Sequence, residues 1–458
     1  MLLRLWRAEP LLTAVVFGAT VLMCGAFAIL LSYSDADWFT YSNIARNLVS
    51  GCGVAISFSG TCEPHFGGAH LPLYPTWVAL LWLAFGESEG VVRAANVVAF
   101  ALANVVLSRA VLTATGARLP AYAVGLLVAL SPLTARWFGT LLTEPLALAT
   151  TTLVGAELLL ILALQRLRLA ILSMLVVLAV WVRLDGVLLL APTAVALWLA
   201  LGWRRAIPAM IVVVAAVGLT AGAWSLRSLH VGIRPFPTAW MLPDGSLGPF
   251  GYQAWLKTWI VTEDARGRAS YFAIDQYRRI DIDDAAFQRF DDRAEVQQLL
   301  TQLRAAEGRP FPAEIDTAFA RLAQARLAQF SPADHAGLLA RRTWDMAGPW
   351  ILPLLKTDGT WTMRIPAGSM LRTAYFWSFA IATIIAWRQR ASLGRHLCTV
   401  AATLFLARAL FFAAGMGLEA RYMIEAVPLL SCVIGVYLIA PALQALWHRQ
   451  QARRRRPA

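Results

Sequence analysis

Two aspartates, Asp35 and Asp37 in "SYSDADWFTYSN", stand directly after the first long apolar run of this sequence. Carboxylates and arginines recur at the ends of later apolar runs: Arg136 and Glu144, Arg183 and Asp185, Glu419 and Arg421. Charged groups at the edge of hydrocarbon are costly, so they persist where they pair with one another or act on a ligand. A carboxylate beside a cation stays ionised and can take the proton of an acceptor hydroxyl. A guanidinium presents a planar fork that matches phosphate oxygens and keeps its charge. Each residue also has a plainer role open to it. Asp35 and Asp37 suit the start of a helix over "ADWFTYSNIARNL", Glu144 before Pro145 suits another, and Arg183 and Arg421 suit headgroups or salt bridges.

The same first loop holds Glu63, His65 and His70, candidate ligands for a divalent metal ion, although H-x4-H in a loop is not a defined ligand spacing. His70 and Tyr74 are further candidates for substrate contact. Cys52 and Cys62 bracket "GCGVAISFSGTC", which a disulfide would close in an oxidising compartment. Cys24, Cys398 and Cys432 fall inside apolar runs and read as small buried hydrophobes. Asp281, Asp283, Asp284, Asp291 and Asp292, interleaved with Arg279, Arg289 and Arg293, read as a solvated face. No P-loop, dinucleotide fingerprint, nucleophile elbow or H-E-x-x-H pattern stands at a usable place, which removes support from nucleotide-driven transport and the common hydrolases.

The elements that must position these groups are membrane helices. The chain has 458 residues, is 59% hydrophobic and only 15% charged, and contains 18 Trp, the profile of an all-α polytopic membrane protein. About 20 apolar residues cross a roughly 30 Å hydrocarbon core. On that rule about ten spans are expected, near 10–31, 91–113, 120–138, 144–164, 169–183, 186–203, 206–226, 369–387, 396–414 and 423–443. The first is expected to be retained, since no small-residue cleavage site follows it. The run "TWVALLWLAFG" is too short to span and reads as an interfacial helix, with Trp77 and Trp82 at headgroup depth.

The net charge of +13 is not a nucleic-acid signature. Between 227 and 364 there are 17 Lys/Arg and 16 Asp/Glu, leaving 23 basic and 11 acidic residues elsewhere. That excess sits in short loops and at the termini, which orients the chain with both ends cytoplasmic. The acidic and arginine groups above then collect on the outer face. Four segments follow: a transmembrane module over 1–226, whose first outer loop spans 32–90; an outer domain over 227–367; further transmembrane helices over 368–447; and a basic tail over 448–458. Within the outer domain, Pro312 is expected to open one helix and Ser331-Pro332 another.

The blocks "SDADWFTYSNIARNLVSGCGV", "LPLYPTWVALLWLAFG", "LLTEPLALAT", "VRLDGVLLLAP", "QARLAQFSPADHAGLLARRTW" and "EARYMIEAVPLL" resemble, in order, those of GT-C class membrane glycosyltransferases. The likeness is to the branch of protein O-mannosyltransferases and lipid A aminoarabinose transferase. It implies a polyprenyl-phosphate sugar donor, an acceptor hydroxyl on a glycan, lipid or protein, transfer with inversion outside the cytoplasm of a bacterial inner membrane, and no nucleic acid. Carried onto this chain it makes Asp35 the leading general base and Asp37 the second, with Glu144 assisting at the acceptor or a metal. Arg421 with Tyr422 would hold the lipid phosphate. Arg183 and Asp185 match a block in which the family often has Arg-Pro-Glu-Gly, so the absent Pro and the shorter acid depart from the pattern. The competing expectation is a transporter or flippase of a lipid-linked or anionic substrate; it predicts broken helices in matched halves and polar groups at mid-membrane.

Overall fold

The computed structural model describes residues 9–32, 36–55, 71–230, 248–270, 276–351, 367–390, 392–415 and 417–454. Asp35, Cys62, Glu63, His65 and His70 lie outside these residues, as do the metal set and the Cys52–Cys62 pairing that involve them. Among the described residues the protein is built of helices, with no β-strand.

The first half runs α1 (Pro10–Leu30), α2 (Ala36–Val49), α3 (Leu73–Phe85), α4 (Glu89–Thr115), α5 (Arg118–Ala129), a short α6 (Pro132–Ala135), α7 (Glu144–Leu164), α8 (Leu169–Val182), α9 (Leu190–Leu201) and α10 (Trp203–His230). Their ends follow local rules. Ser88 caps α4 by accepting the Val91 N–H at 3.4 Å, and Gly116 closes it in the left-handed region at φ 67°, which only glycine adopts freely. Pro145 sits in the first turn of α7, where no intrahelical N–H is lost. After α8 the chain turns back through a 3₁₀ segment, Leu184–Leu189, so tightly that a Cβ on Gly186 would lie 2.5 Å from the Ala179 carbonyl.

Nine helical stretches among the described residues are long and apolar enough to cross a membrane. The expected fifth span is the exception: α8 has 14 residues, too few to cross alone. Lipid as the outer solvent explains the surface. Leu22, Ile29 and Leu219 are 75%, 78% and 75% exposed, a pattern that water would penalise and hydrocarbon does not. Inside, α4 packs along α1 and α7, and its Asn104 amide donates to Thr20 Oγ1 at 3.0 Å and to the Gly125 carbonyl at 2.9 Å.

Helix α3 is short, as expected, its 13 residues too few to cross alone. Trp82 is 6% exposed and meets Trp38 of α2 edge-on at 6.1 Å, while Trp77 donates to Asn96 of α4 at 3.1 Å. Both indoles satisfy their N–H within the protein, because α2 and α4 sandwich the helix.

The polar segment contributes α11 (Phe250–Leu256), α12 (Glu263–Ala269), α13 (Arg293–Ala305), α14 (Ala313–Leu327) and α15 (Pro332–Ile351). Pro312 precedes α14 rather than opening it. Ser331 caps α15: its hydroxyl accepts the Asp334 N–H at 3.2 Å, and the Asp334 carboxylate accepts the Ser331 N–H at 2.8 Å. The aspartate cluster is not wholly a solvated face. Asp281 and Asp283 pair with Arg268, and Asp284 with Arg293, but Asp292 binds Arg326 through both oxygens at 2.6 and 2.7 Å. Arg326 is 1% exposed and lies over Trp255 and Phe290 at 5.0 and 4.5 Å.

The chain returns to the bundle through α16 (Ala367–Arg388), α17 (Ser392–Gly415), a 3₁₀ segment (Ala420–Ala426), α18 (Val427–Ile434), a π turn (Gly435–Ile439) and α19 (Ala440–Arg454). Trp350 of α15 packs on Phe405 of α17 at 5.7 Å, joining the polar segment to the bundle.

Candidate active site

Helix ends distant in sequence converge at one end of the bundle. Glu144 opens α7, Arg183 follows α8, Asp185 lies in the 3₁₀ turn before α9, Arg408 comes from α17, and Glu419, Arg421, Tyr422 and Glu425 come from the segment before α18. Arg408 holds two acids and Arg183 three, the third being Glu425 at 3.7 Å. Arg183 reaches Glu144 Oε1 at 2.9 Å and Asp185 Oδ1 at 3.0 Å. Arg408, fully buried, reaches Asp185 Oδ2 at 2.7 Å and Glu425 Oε2 at 2.9 Å. Its Nε donates to the Tyr422 carbonyl, and Thr151 donates to Glu425 Oε2 at 3.1 Å.

These contacts divide the acids by what they have left to offer. Asp185 has one oxygen on each arginine, and Glu425 has both oxygens on Arg408. Both oxygens of each acid are thus already engaged by a guanidinium. Glu144 differs. It is 2% exposed, yet neither carboxylate oxygen accepts a hydrogen bond from a described group; it is held through charge, by Arg183 at 2.9 Å and Arg421 at 3.5 Å. A buried carboxylate left without hydrogen bonds is expensive, and its lone pairs are the ones open to a ligand.

Arg421 is 3.5 Å from Glu144 and 2.5 Å from Glu419, which in turn meets Arg266 of α12 at 2.5 Å. Burial pushes the Glu419 carboxyl up, but Arg421 and Arg266 outweigh it and hold the group below the usual glutamate range. Tyr422 donates to Glu419 at 3.2 Å, stacks on Phe412 at 4.3 Å and lies under both Arg183 and Arg421, at 5.1 and 5.2 Å. Arginines 183, 266, 408 and 421 thus face acids 144, 185, 419 and 425, a formally neutral cluster.

The first loop enters through Tyr41 of α2. Its hydroxyl is hydrogen-bonded to Thr143, and burial, then the charges of Asp37 and Glu144, push its ionisation above the ordinary tyrosine range against the pull of Arg183. Asp37 lies exposed in the first turn of α2, four residues before Tyr41. Tyr74 packs edge-on against Tyr41 at 5.1 Å.

Of the sequence candidates, Asp37, Glu144, Arg183, Asp185, Arg421, Tyr422 and Tyr74 come together in or beside this cluster. Sequence reading missed Arg408, Glu425 and Arg266. The signal for Arg408 was a lone arginine inside the apolar run "TLFLARALFF", where an unpaired charge does not survive. No group of three or more metal-ligating side chains occurs among the described residues.

No family model and no curated protein matches the chain. Among solved structures it is similar to an Archaeoglobus fulgidus oligosaccharyltransferase tethered with an acceptor peptide, at 11% identity and a TM-score of 0.49, over 96% of this chain and 51% of the other. It is also similar to ArnT from Cupriavidus metallidurans bound to undecaprenyl phosphate, at 18% identity and a TM-score of 0.40, over 92% of this chain and 77% of the other. The chain thus spans about half the length of the first of these structures, 51%.

Proposed function

We propose that the protein is a membrane glycosyltransferase of the GT-C kind, moving a sugar from a polyprenyl-phosphate donor to an acceptor hydroxyl at the extracytoplasmic face. The observation that carries this reading is Glu144: a buried carboxylate between two guanidiniums, whose oxygens accept no hydrogen bond from a described group, at the bundle end that Tyr41 of α2 also reaches. Such a site offers what transfer from a phosphate-linked sugar needs, a base for the acceptor and cations for the departing phosphate. Arg421 and Tyr422 receive the donor phosphate, and Glu144 orients the acceptor. Asp35 takes the hydroxyl proton, with Asp37 as the second candidate. The acceptor oxygen bonds to the sugar's anomeric carbon as that carbon's bond to the phosphate oxygen breaks, and the polyprenyl phosphate leaves with the bonding pair. A single in-line displacement inverts the anomeric centre. The positive-inside pattern of the short loops supports an extracytoplasmic position for this bundle end.

The test is transfer of label from radiolabelled polyprenyl-phosphate sugars in membranes holding wild type, Asp35→Asn or Asp37→Asn. Label should move to a new acceptor, and Asp35→Asn should lower the rate about 10²–10⁴-fold. Full activity in Asp35→Asn removes the base assignment. Full activity with both aspartates replaced removes this site. Movement of intact donor across the bilayer without cleavage replaces the enzyme by a flippase.

A further inference from the structure

Two arginines of α12, Arg266 and Arg268, stand two positions apart, and at 3.6 residues per turn that separates them by roughly 200°, onto opposite faces of the helix. Arg268 faces its own segment, where it pairs with Asp281 at 2.9 Å and Asp283 at 2.7 Å. Arg266 faces the bundle and meets Glu419 there. The start of the helix is fixed as well: Thr262 accepts the Ala265 N–H at 3.2 Å, and Asp345 of α15 accepts the Glu263 N–H at 3.0 Å. Arg266 is thus presented to Glu419 by a helix that the polar segment holds at both ends.

Glu419 divides its two oxygens between the polar segment and the bundle. Oε1 accepts from Arg266 Nη1 at 2.5 Å and from the Tyr422 hydroxyl at 3.2 Å, while Oε2 stands 2.5 Å from Arg421 Nε. Arg421 donates from Nη2 to the Tyr422 oxygen at 3.4 Å, and its Nη1 donates to no described group. One carboxylate oxygen on one nitrogen leaves the rest of that guanidinium fork open, whereas a carboxylate with both oxygens on it fills an edge that a phosphate would use. We propose that Arg266 is a positioning residue for donor binding: by drawing Oε1 of Glu419 toward the polar segment, it stops this acid from closing on Arg421 with both oxygens. Arg266 also supplies a cation beside Glu419, so a phosphate arriving at Arg421 does not face that carboxylate uncompensated. The side chains of Arg266, Glu419 and Arg421 are 30%, 21% and 17% exposed, so water and salt screen their charges only in part. The inference rests on the assignment of Arg421 to the donor phosphate, and it makes the polar segment the part of the protein that keeps Arg421 available.

The experiment titrates polyprenyl phosphate into the full chain in uncharged detergent and reads binding by native mass spectrometry, with thermal melting as the check on folding. Arg266→Gln should weaken binding about three- to fivefold, the worth of a partly exposed ion pair. Arg266→Lys keeps the charge and should recover most of that binding. In a Glu419→Gln background the Arg266→Gln change should have no effect, because no charged acid remains for it to hold. Arg266→Ala gives the same readings should Arg266→Gln fail to fold. Wild-type affinity in Arg266→Gln overturns the inference. So does a loss that persists undiminished in the Glu419→Gln background, or one that Arg266→Lys shares in full. Those outcomes leave the donor-phosphate assignment standing when Arg421→Gln loses binding. Wild-type affinity in Arg421→Gln, or no binding to wild type, removes that assignment and this inference together.

Discussion

Asp185 and Arg408 are 223 positions apart and meet at 2.7 Å inside the bundle, where the arginine is fully buried. Each also holds a second partner, Arg183 for the aspartate and Glu425 for the arginine, so a chain of alternating charges ties α8, α17 and the segment before α18 together. Charges buried this way stabilise little in themselves, but removing one leaves the others uncompensated.

Arg408→Gln should therefore be the most damaging change in the cluster. It leaves Asp185 with Arg183 alone and Glu425 with the Thr151 hydroxyl and a more distant Arg183, both acids nearly inaccessible, and should lower stability by about 3–5 kcal/mol. Thermal melting in detergent checks this, and adding Asp185→Asn and Glu425→Gln should restore part of the loss.

Glu144→Gln should separate function from folding. The amide keeps the side chain's size at the start of α7 but removes the charge between Arg183 and Arg421. Transfer should fall about 10²-fold or more, measured as turnover of labelled donor, with melting temperature nearly unchanged. An unaltered rate contradicts the role given to Glu144.

Glu419→Gln should act in the opposite direction on donor binding. Arg421 is now shared between Glu419 and Glu144, so an arriving phosphate competes with a carboxylate. Releasing Arg421 should tighten binding of polyprenyl phosphate about two- to fivefold, the worth of a partly exposed ion pair. Competition by unlabelled polyprenyl phosphate measures it.

Asp345, on α15, should make stability depend on pH. Burial pushes its carboxyl up from an ordinary 3.8 to about 6, only partly offset by the Glu263 N–H that it accepts. A folded-state value above the unfolded one means that the folded form holds the proton more tightly. Its stabilising contribution is complete below about 3.8 and is lost as pH rises through about 6. Asp345→Asn should gain melting temperature relative to wild type between pH 4 and pH 7, and a gap that is constant across that range contradicts the assignment.

Sequence by itself determined what local chemistry and hydrophobicity determine. The apolar runs gave the membrane helices close to their observed ends: 144–164 coincides with α7, and 369–387 falls within α16. Ser331 and Pro332 announced the start of α15, a capping hydroxyl followed by a proline in the first turn. The runs also showed that acids and arginines gather at one set of helix ends, because exclusion of charge from hydrocarbon is readable one segment at a time.

What only the tertiary structure decided is which charge faces which. Asp292 looked like one more surface acid, yet it neutralises Arg326 beneath Trp255. Asp185 had no partner legible in its own block, yet it places one oxygen on Arg183 and the other on Arg408, while neither oxygen of Glu144 accepts a hydrogen bond from a described group. Pairing energy depends on separation and burial across helices hundreds of residues apart, and neither quantity exists until the helices have packed.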